Sequence, residues 1–205
     1  MPKGGDVEII QEAVGIAEGK TSAEFVVAIQ PRSGSYRDVD LLAAAVVTAL
    51  VMLFAFFGPA EVNPDFVPLN LLLTFGLVWL ICSRIPQIRR GLTSEDRRKD
   101  QVQQAAGAFF LQYGVSQTRG RTGIIILVSQ LERRVEVVAD SGIHRAVDAE
   151  DWDKLLNEIQ AGFNPENLPS TAVMAVERLG DYLKGPLPAD PDDEDELTNV
   201  PHMHK

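Results

Sequence analysis

Between residues 41 and 83 the chain carries no Lys or Arg and only two acids, Glu61 and Asp65. Two apolar runs fill this block: Leu41 to Phe57 (LLAAAVVTALVMLFAFF) and Phe66 to Cys82 (FVPLNLLLTFGLVWLIC), each 17 residues long. As a helix, a run of 17 residues extends roughly 25 Å, at the short end of what crosses a bilayer core. The intervening GPAEVNPD, Gly58 to Asp65, has a glycine and two prolines and reads as a turn. Two such runs predict an antiparallel transmembrane hairpin, because a helix satisfies its own backbone polar groups within lipid. The alternative is a pair of buried core helices. It asks a small acidic domain to enclose two helices that are apolar on every side. A signal peptide fits poorly, since the first run starts at residue 41 with no basic segment opening the chain.

Charge is blocked along the chain in the same way. The 205 residues have a formal charge of −10, but residues 84–140 carry a net +4 and residues 141–205 a net −9. An acidic total argues against a nucleic-acid binder, which needs a basic face to displace counterions from phosphates. Arg32 and Arg37 precede the first apolar run; Arg84, Arg89, Arg90, Arg97, Arg98 and Lys99 follow the second, and the turn has no positive charge. This asymmetry places both flanks, and both termini, on the cytoplasmic side, where the basic cluster also attracts anionic head groups. The single cysteine, Cys82, excludes an internal disulfide or a Cys-rich zinc site and reads as a buried thiol at the cytoplasmic end of the second span.

The remaining sequence is α/β in pattern. Ile9, Ile10, Ala13, Val14 and Ala17 have the spacing of a helix face, and Glu24 to Gln30 (EFVVAIQ) is a strand. Ser94 is a candidate N-cap for a helix whose apolar face is Val102, Ala105, Ala106, Phe109, Phe110 and Tyr113, stopped by Gly114. Gly123 to Ser129 (GIIILVS) suits a central strand buried on both faces, and Arg134 to Ala139 alternates; a tight hairpin through Gln130 to Arg133 joins them. Two helices follow, marked by Trp152, Leu155, Leu156, Ile159 and Phe163, and by Val173, Val176, Leu179 and Leu183. One early strand cannot form a sheet alone. The predicted fold is therefore α/β, a small central β-sheet flanked by helices, with a two-helix transmembrane hairpin inserted after the first strand. The corresponding boundaries are 1–38 and 85–184 for the two parts of the α/β domain, 39–84 for the hairpin, and 185–205 for an acidic disordered tail.

TSAEFVV (Thr21 to Val27), TRGRTGIIILVSQLERRVEVVADSGIH (Thr118 to His144) and Trp152 together resemble the TPM domain family, over roughly residues 6–183 and most densely over 118–152. The acidic DEDELTNV, Asp193 to Val200, is similar to the ends of membrane-associated members. The resemblance implies a compact α/β fold. It also implies three functional directions: acid phosphatase activity, binding of calcium or similar metals, and support of membrane-complex repair or assembly. Where soluble members carry a glycine-rich turn and a following acid, this chain has Asp140-Ser141-Gly142-Ile143-His144.

The residues themselves offer several candidate sites. Glu24, Glu132, Asp140 and Asp148, with Asp151 nearby, lie at strand ends and turns, where converging oxygens would suit Ca2+ or Mg2+. The alternative is that such acids only cap backbone groups, as Asp148 and Asp151 would at the start of the Trp152 helix. Asp140 and His144 are the candidate catalytic pair for phosphoester cleavage, with Arg133, Arg134 or Arg145 holding phosphate. Arg119 and Arg121 are further anion candidates; the alternative has them paired with Glu132 or Asp140 at the same end of the sheet. His202 and His204 suggest at most an adventitious metal site. No phosphate-binding loop, Ser-His-Asp pattern or His-Glu-x-x-His motif is present. The first functional reading is therefore a membrane-anchored, non-catalytic binding module that supports assembly or upkeep of a membrane complex. Its expected partners are the lipid bilayer and a membrane protein. The rivals are a weak metal-dependent acid phosphatase and a module that only contacts lipid through its arginine cluster.

Overall fold

A computed structural model describes residues 4–59, 63–189 and 197–203. The chain divides into two compact units, one formed by residues 1–33 and 99–205 and the other by residues 34–98.

The first unit is an α/β layer structure around a mixed four-stranded sheet. Its strands are β1 (Glu24–Gln30), β2 (Gly123–Ser129), β3 (Arg134–Ala139) and β4 (His202–Met203), in the order β3-β2-β1-β4. β1 and β2 are parallel over their whole length, with Glu24 opposite Gly123 and Gln30 opposite Ser129. β2 and β3 are antiparallel, from Ile124 opposite Ala139 to Ser129 opposite Arg134. Every residue of β1 and β2 is buried, which accounts for their unbroken apolar runs: both faces are covered, so neither strand needs a polar side.

The alternation of side chains divides this burial between two cores. Phe25, Val27 and Ile29 of β1 and Ile124, Ile126 and Val128 of β2 face one way. They pack against Ile10, Val14 and Ala17 of α1 (Gly4–Glu18) and against Ala172, Ala175, Val176 and Leu179 of the helix spanning Leu168–Leu183. Val26, Ala28, Ile125 and Leu127 face the other way, against Val102, Ala106 and Phe109 of the helix Glu95–Gln112. Each aliphatic side chain fully buried this way contributes about 1.5–3 kcal/mol. Gly114, at φ 67°, ends the Glu95–Gln112 helix in the left-handed conformation that glycine adopts without penalty.

The second unit contains α2 (Arg37–Phe57), a 3-10 turn at Pro64–Phe66, α3 (Val67–Arg84) and α4 (Pro86–Leu92). The remaining helices are thus α5 (Glu95–Gln112), α6 (Ser141–Ala146), α7 (Ala149–Ala161) and α8 (Leu168–Leu183). Both arms of the hairpin, Arg37–Phe57 and Pro64–Arg84, are long and apolar enough to cross a membrane, and only 17% and 6% of their apolar windows are buried. Leu42, Phe54, Phe57, Leu72 and Leu73 all face outward, unlike side chains of core helices. Cys82 is buried, as the sequence indicated.

At the base of this hairpin the charges pair internally. Asp40, in the first turn of α2, is buried and accepts two hydrogen bonds from Arg89 of α4, Nε to Oδ1 at 3.1 Å and Nη2 to Oδ2. Asp38 accepts a second fork from Arg97, at 2.7 and 2.9 Å, and the Arg97 guanidinium lies 5.7 Å from the centre of the Tyr36 ring. Two of the arginines read as lipid-facing flank charges are therefore neutralised by aspartates of the same unit, because a planar guanidinium presents two parallel donors to a carboxylate.

The predicted disorder of the tail fails over its described end. Residues 197–203 lie along the outer edge of β1, where His202 and Met203 pair in parallel with Ala28 and Ile29. The reason is an open strand edge, whose unpaired backbone groups recruit a partner even without a periodic sequence. Earlier in the tail, Leu187 packs on the main core and Pro188 bridges Thr21. The acidic run Asp190–Glu196, His204 and the turn residue Glu61 lie outside the described residues.

α1 and α8 meet where Gly180 passes Ala17: a Cβ on Gly180 would stand 2.8 Å from the Ala17 Cβ. Gly107 of α5 has open space in the same position. Gly107→Ala is expected to stabilise the protein by about 0.5–1 kcal/mol through helix propensity. Gly180→Ala is expected to destabilise it by about 1–3 kcal/mol through overpacking. Thermal unfolding of the two variants, read as opposite shifts of Tm, checks both.

Candidate functional site

Two ends of the sheet hold the polar residues, and the strands keep them apart. At the carboxyl ends of β1 and β2 the turn Gln130 to Arg133 folds back toward the segment that leaves β1. Two backbone bonds extend the parallel ladder past the strands: Gln130 N–H to Gln30 O at 3.1 Å and Leu131 N–H to Pro31 O at 2.9 Å. Glu132 is 2% exposed in this corner. Its Oε1 accepts the Ser33 backbone N–H at 3.0 Å, and its Oε2 accepts the Ser129 hydroxyl. Ser129 Oγ in turn accepts from Ser33 Oγ at 2.7 Å, and Ser33 Oγ accepts from Gln30 Nε2 at 2.6 Å. A directed chain of donors, amide to hydroxyl to hydroxyl, thus ends on one buried carboxylate. Charge-assisted bonds of this kind keep a buried carboxylate tolerable where an unpaired one would not be.

The turn itself is held from the helical layer. Arg133 adopts φ 54°. Gln160 of α7 spans the turn, donating to the Arg133 carbonyl at 3.1 Å and accepting the Val135 N–H at 2.9 Å. On β3, burial raises the Glu136 carboxyl above its ordinary value of 4.5, while Arg134 and Lys99 pull it back.

The opposite end of the sheet holds Glu24, Asp140, Arg119 and Arg121. Glu24 N–H donates to Thr122 O, and Asp140 N–H donates to Gly123 O at 2.9 Å, so these two acids flank the start of β2. Asp140 is buried and caps α6: its Oδ1 accepts the Ser141 N–H at 2.6 Å, and its Oδ2 pairs with Arg121 Nε at 3.0 Å. Arg121 sits at φ 56°. Gly142 belongs where it is because a Cβ there would stand 2.4 Å from the carbonyl oxygens of Gly120 and Arg121. Glu24 Oε2 accepts the Leu197 N–H at 3.4 Å.

Of the four acids read as metal ligands, Glu24 and Asp140 therefore share one end of the sheet. Glu132 sits at the other, beyond a strand of seven residues, roughly 20 Å at strand rise. Asp148 is elsewhere again, as the N-cap of α7, accepting from Glu150 N–H at 2.9 Å and Asp151 N–H at 3.2 Å. Among the described residues no group of three or more His, Cys, Asp or Glu side chains could hold a metal ion. Asp140 and His144 do not make the expected acid–base pair. The carboxylate is engaged by Ser141 and Arg121, and the exposed His144 ring stands edge-on to Trp152 with centroids 6.2 Å apart. The anion candidates are divided too, with Arg119 and Arg121 before β2 and Arg133 and Arg134 after it. Arg121 pairs with Asp140 as its alternative reading held, but Glu132 is not at that end. Arg145 lies exposed on α6.

Sequence reasoning missed the partners of Glu132. Ser33 and Ser129 are 96 positions apart in the chain, and no local pattern links them. The Asp38 and Asp40 pairs had a visible trace, two acids just before one apolar run and arginines just after the other.

The family profile of the TPM domain matches residues 90–182. Among curated proteins none matches the chain. Among solved structures, the chain is similar to the NMR structure of BA42 protein from the psychrophilic bacterium Bizionia argentinensis, at 19% identity and a TM-score of 0.59. The match covers 98% of this chain and 94% of that one. At that identity the likeness is one of fold.

Two outcomes follow from the polar corner and its neighbour. Glu132→Ala strands the Ser33 N–H and the Ser129 hydroxyl and is expected to cost about 1–3 kcal/mol for each group left unsatisfied. Chemical denaturation together with faster amide exchange at Ser33 checks it. Glu136 has a raised carboxyl in the folded state, so its contribution is fully present below the ordinary Glu value and is lost as pH rises through the raised one. Glu136→Gln is therefore expected to raise Tm at pH 7 relative to the parent chain and to leave the two alike near pH 3.

Proposed function

We propose that this chain is a membrane-anchored binding module. In this reading α2 and α3 cross the bilayer as a hairpin, with both flanks and both termini on the cytoplasmic side. The α/β unit presents a binding surface that supports assembly or maintenance of a membrane complex, and its partner is a membrane protein. The observation that carries the reading is the hairpin's apolar surface: two helices of spanning length, inserted between the strands of an α/β unit, whose side chains face outward instead of into a core. Such a surface is costly in water and favourable in hydrocarbon. Orientation is supported by Arg32, Arg37, Arg84, Arg90, Arg98 and Lys99 on the flanks, against none in the turn. A metal-dependent phosphatase would require the four acids to converge, and their division between the two sheet ends and α7 gives that reading no support.

The experiment is recovery of the tagged full-length chain from membranes. It is expected to sediment with membranes after an alkaline carbonate wash and, after gentle detergent extraction, to bring down the same membrane protein in repeated preparations. Reporter fusions at the 58–65 turn and at the C-terminus are expected on opposite sides. A chain that stays in the supernatant without detergent, or that is recovered alone each time, contradicts the reading.

A further inference from the structure

The outer edge of β1 is filled by the chain's own C-terminal segment in a way that resembles ligand binding more than strand formation. β1 pairs with β2 over all seven positions. On its other side, among the described residues, the ladder has only Ala28 with His202 and Ile29 with Met203, in parallel. Outside this ladder, separate anchors hold residues 197–203 in place. Leu197 packs beside Val26, Val115 and Ile125 while its N–H reaches Glu24. Asn199 Nδ2 donates to Glu18 Oε2 at 2.8 Å, and the other oxygen of Glu18 accepts the Phe25 N–H at 3.0 Å. The His202 ring lies flat on Tyr113, with centroids 3.7 Å apart and planes 5° from parallel.

This is how a sheet edge reads an extended peptide: main-chain bonds supply attraction and separate receptors for alternate side chains supply selection. Glu18 is held by a β1 amide and aimed at a carboxamide, and Tyr113 offers a flat face to a ring. The ladder that holds it is short. It spans two residues, and Val200, between the side-chain anchors, is half-exposed; a segment held by so few backbone bonds opens at lower free energy than a central strand.

We propose that the open edge of β1 is a peptide-recognition groove and that residues 197–203 are its built-in ligand, a strap that docks and leaves as a unit. The ligand class is an extended segment in parallel orientation, with a carboxamide three positions before an aromatic or imidazole ring. The groove lies entirely within the α/β unit, so it stands independently of the membrane reading.

The test uses the full-length protein in detergent micelles and a fluorescent synthetic peptide, LTNVPHM, copying residues 197–203. In the chain carrying Asn199→Ala and His202→Ala the strap is weakened. The peptide is expected to bind that chain at least ten-fold more tightly than it binds the parent, and a peptide with the same two alanines is expected to bind at least ten-fold more weakly. A dimer that free peptide dissolves also supports the groove and identifies a second copy as a source of the ligand. Absence of saturable binding to the double variant, or equal affinity for the two peptides, overturns it. Should the double variant not fold, hydrogen exchange on the parent chain decides. Amides of residues 202 and 203 protected together, but at least ten-fold less than those of β2, are expected; protection equal to β2, or none, overturns the strap.

Discussion

The parallel pairing of β1 with β2 governs the organisation of this chain. Antiparallel neighbours can be joined by a tight turn, but parallel neighbours need a connection that leaves the sheet and returns. Here that connection runs from Pro31 to Thr122 and carries both the apolar hairpin and α5. α5 returns to cover one face with Val102 and Ala106, while α1 and α8 cover the other. Insertion of a long segment at this point is tolerated because the crossover already lies outside the ladder, and loop-closure entropy grows slowly with length. What must then be held is the place where the chain exits the sheet. The Glu132 carboxylate does this by gripping the Ser33 amide directly and its hydroxyl through Ser129.

Much of this architecture was legible because burial on both faces leaves a plain mark. GIIILVS has no polar residue before its final serine, and the 102–113 apolar spacing matches the helix that covers it. Ser94 does cap the start of α5, through Arg97 N–H at 3.4 Å, and Asp148 caps α7 as its modest reading held. The polar corner was not legible, since the identity of a carboxylate's donors depends on which loops meet, and parallel register decides that. Arg121 and Asp140 were readable as partners because both border β2 at one end. Assigning Glu132 to the same end failed because an acid three residues past a seven-residue strand lies at its far end. β4 escaped notice for a simpler reason: two residues after a proline have no period to detect.

The charge pattern also changes meaning once partners are known. Counted along the sequence, the arginines after the second apolar run form one basic flank. In the folded hairpin unit Arg89 and Arg97 are committed to Asp40 and Asp38. A bidentate pair as buried as Asp40 with Arg89 is weak support for stability in itself, yet removing one partner would leave a buried charge exposed to its full desolvation cost. Its effect is to fix the start of α2 against α4, which sets the geometry from which the two apolar arms depart.

The most direct measurement replaces residues 34–98 by a long glycine–serine linker and asks whether the remainder folds. If β1 and β2 pair independently of what their crossover carries, the shortened chain is expected to stay in solution without detergent, to unfold cooperatively, and to show amide contacts of parallel register between Val26 and Ile125 by NMR. An aggregated or unfolded product, or a folded one in which β1 is not beside β2, would contradict a single α/β unit interrupted by an apolar hairpin.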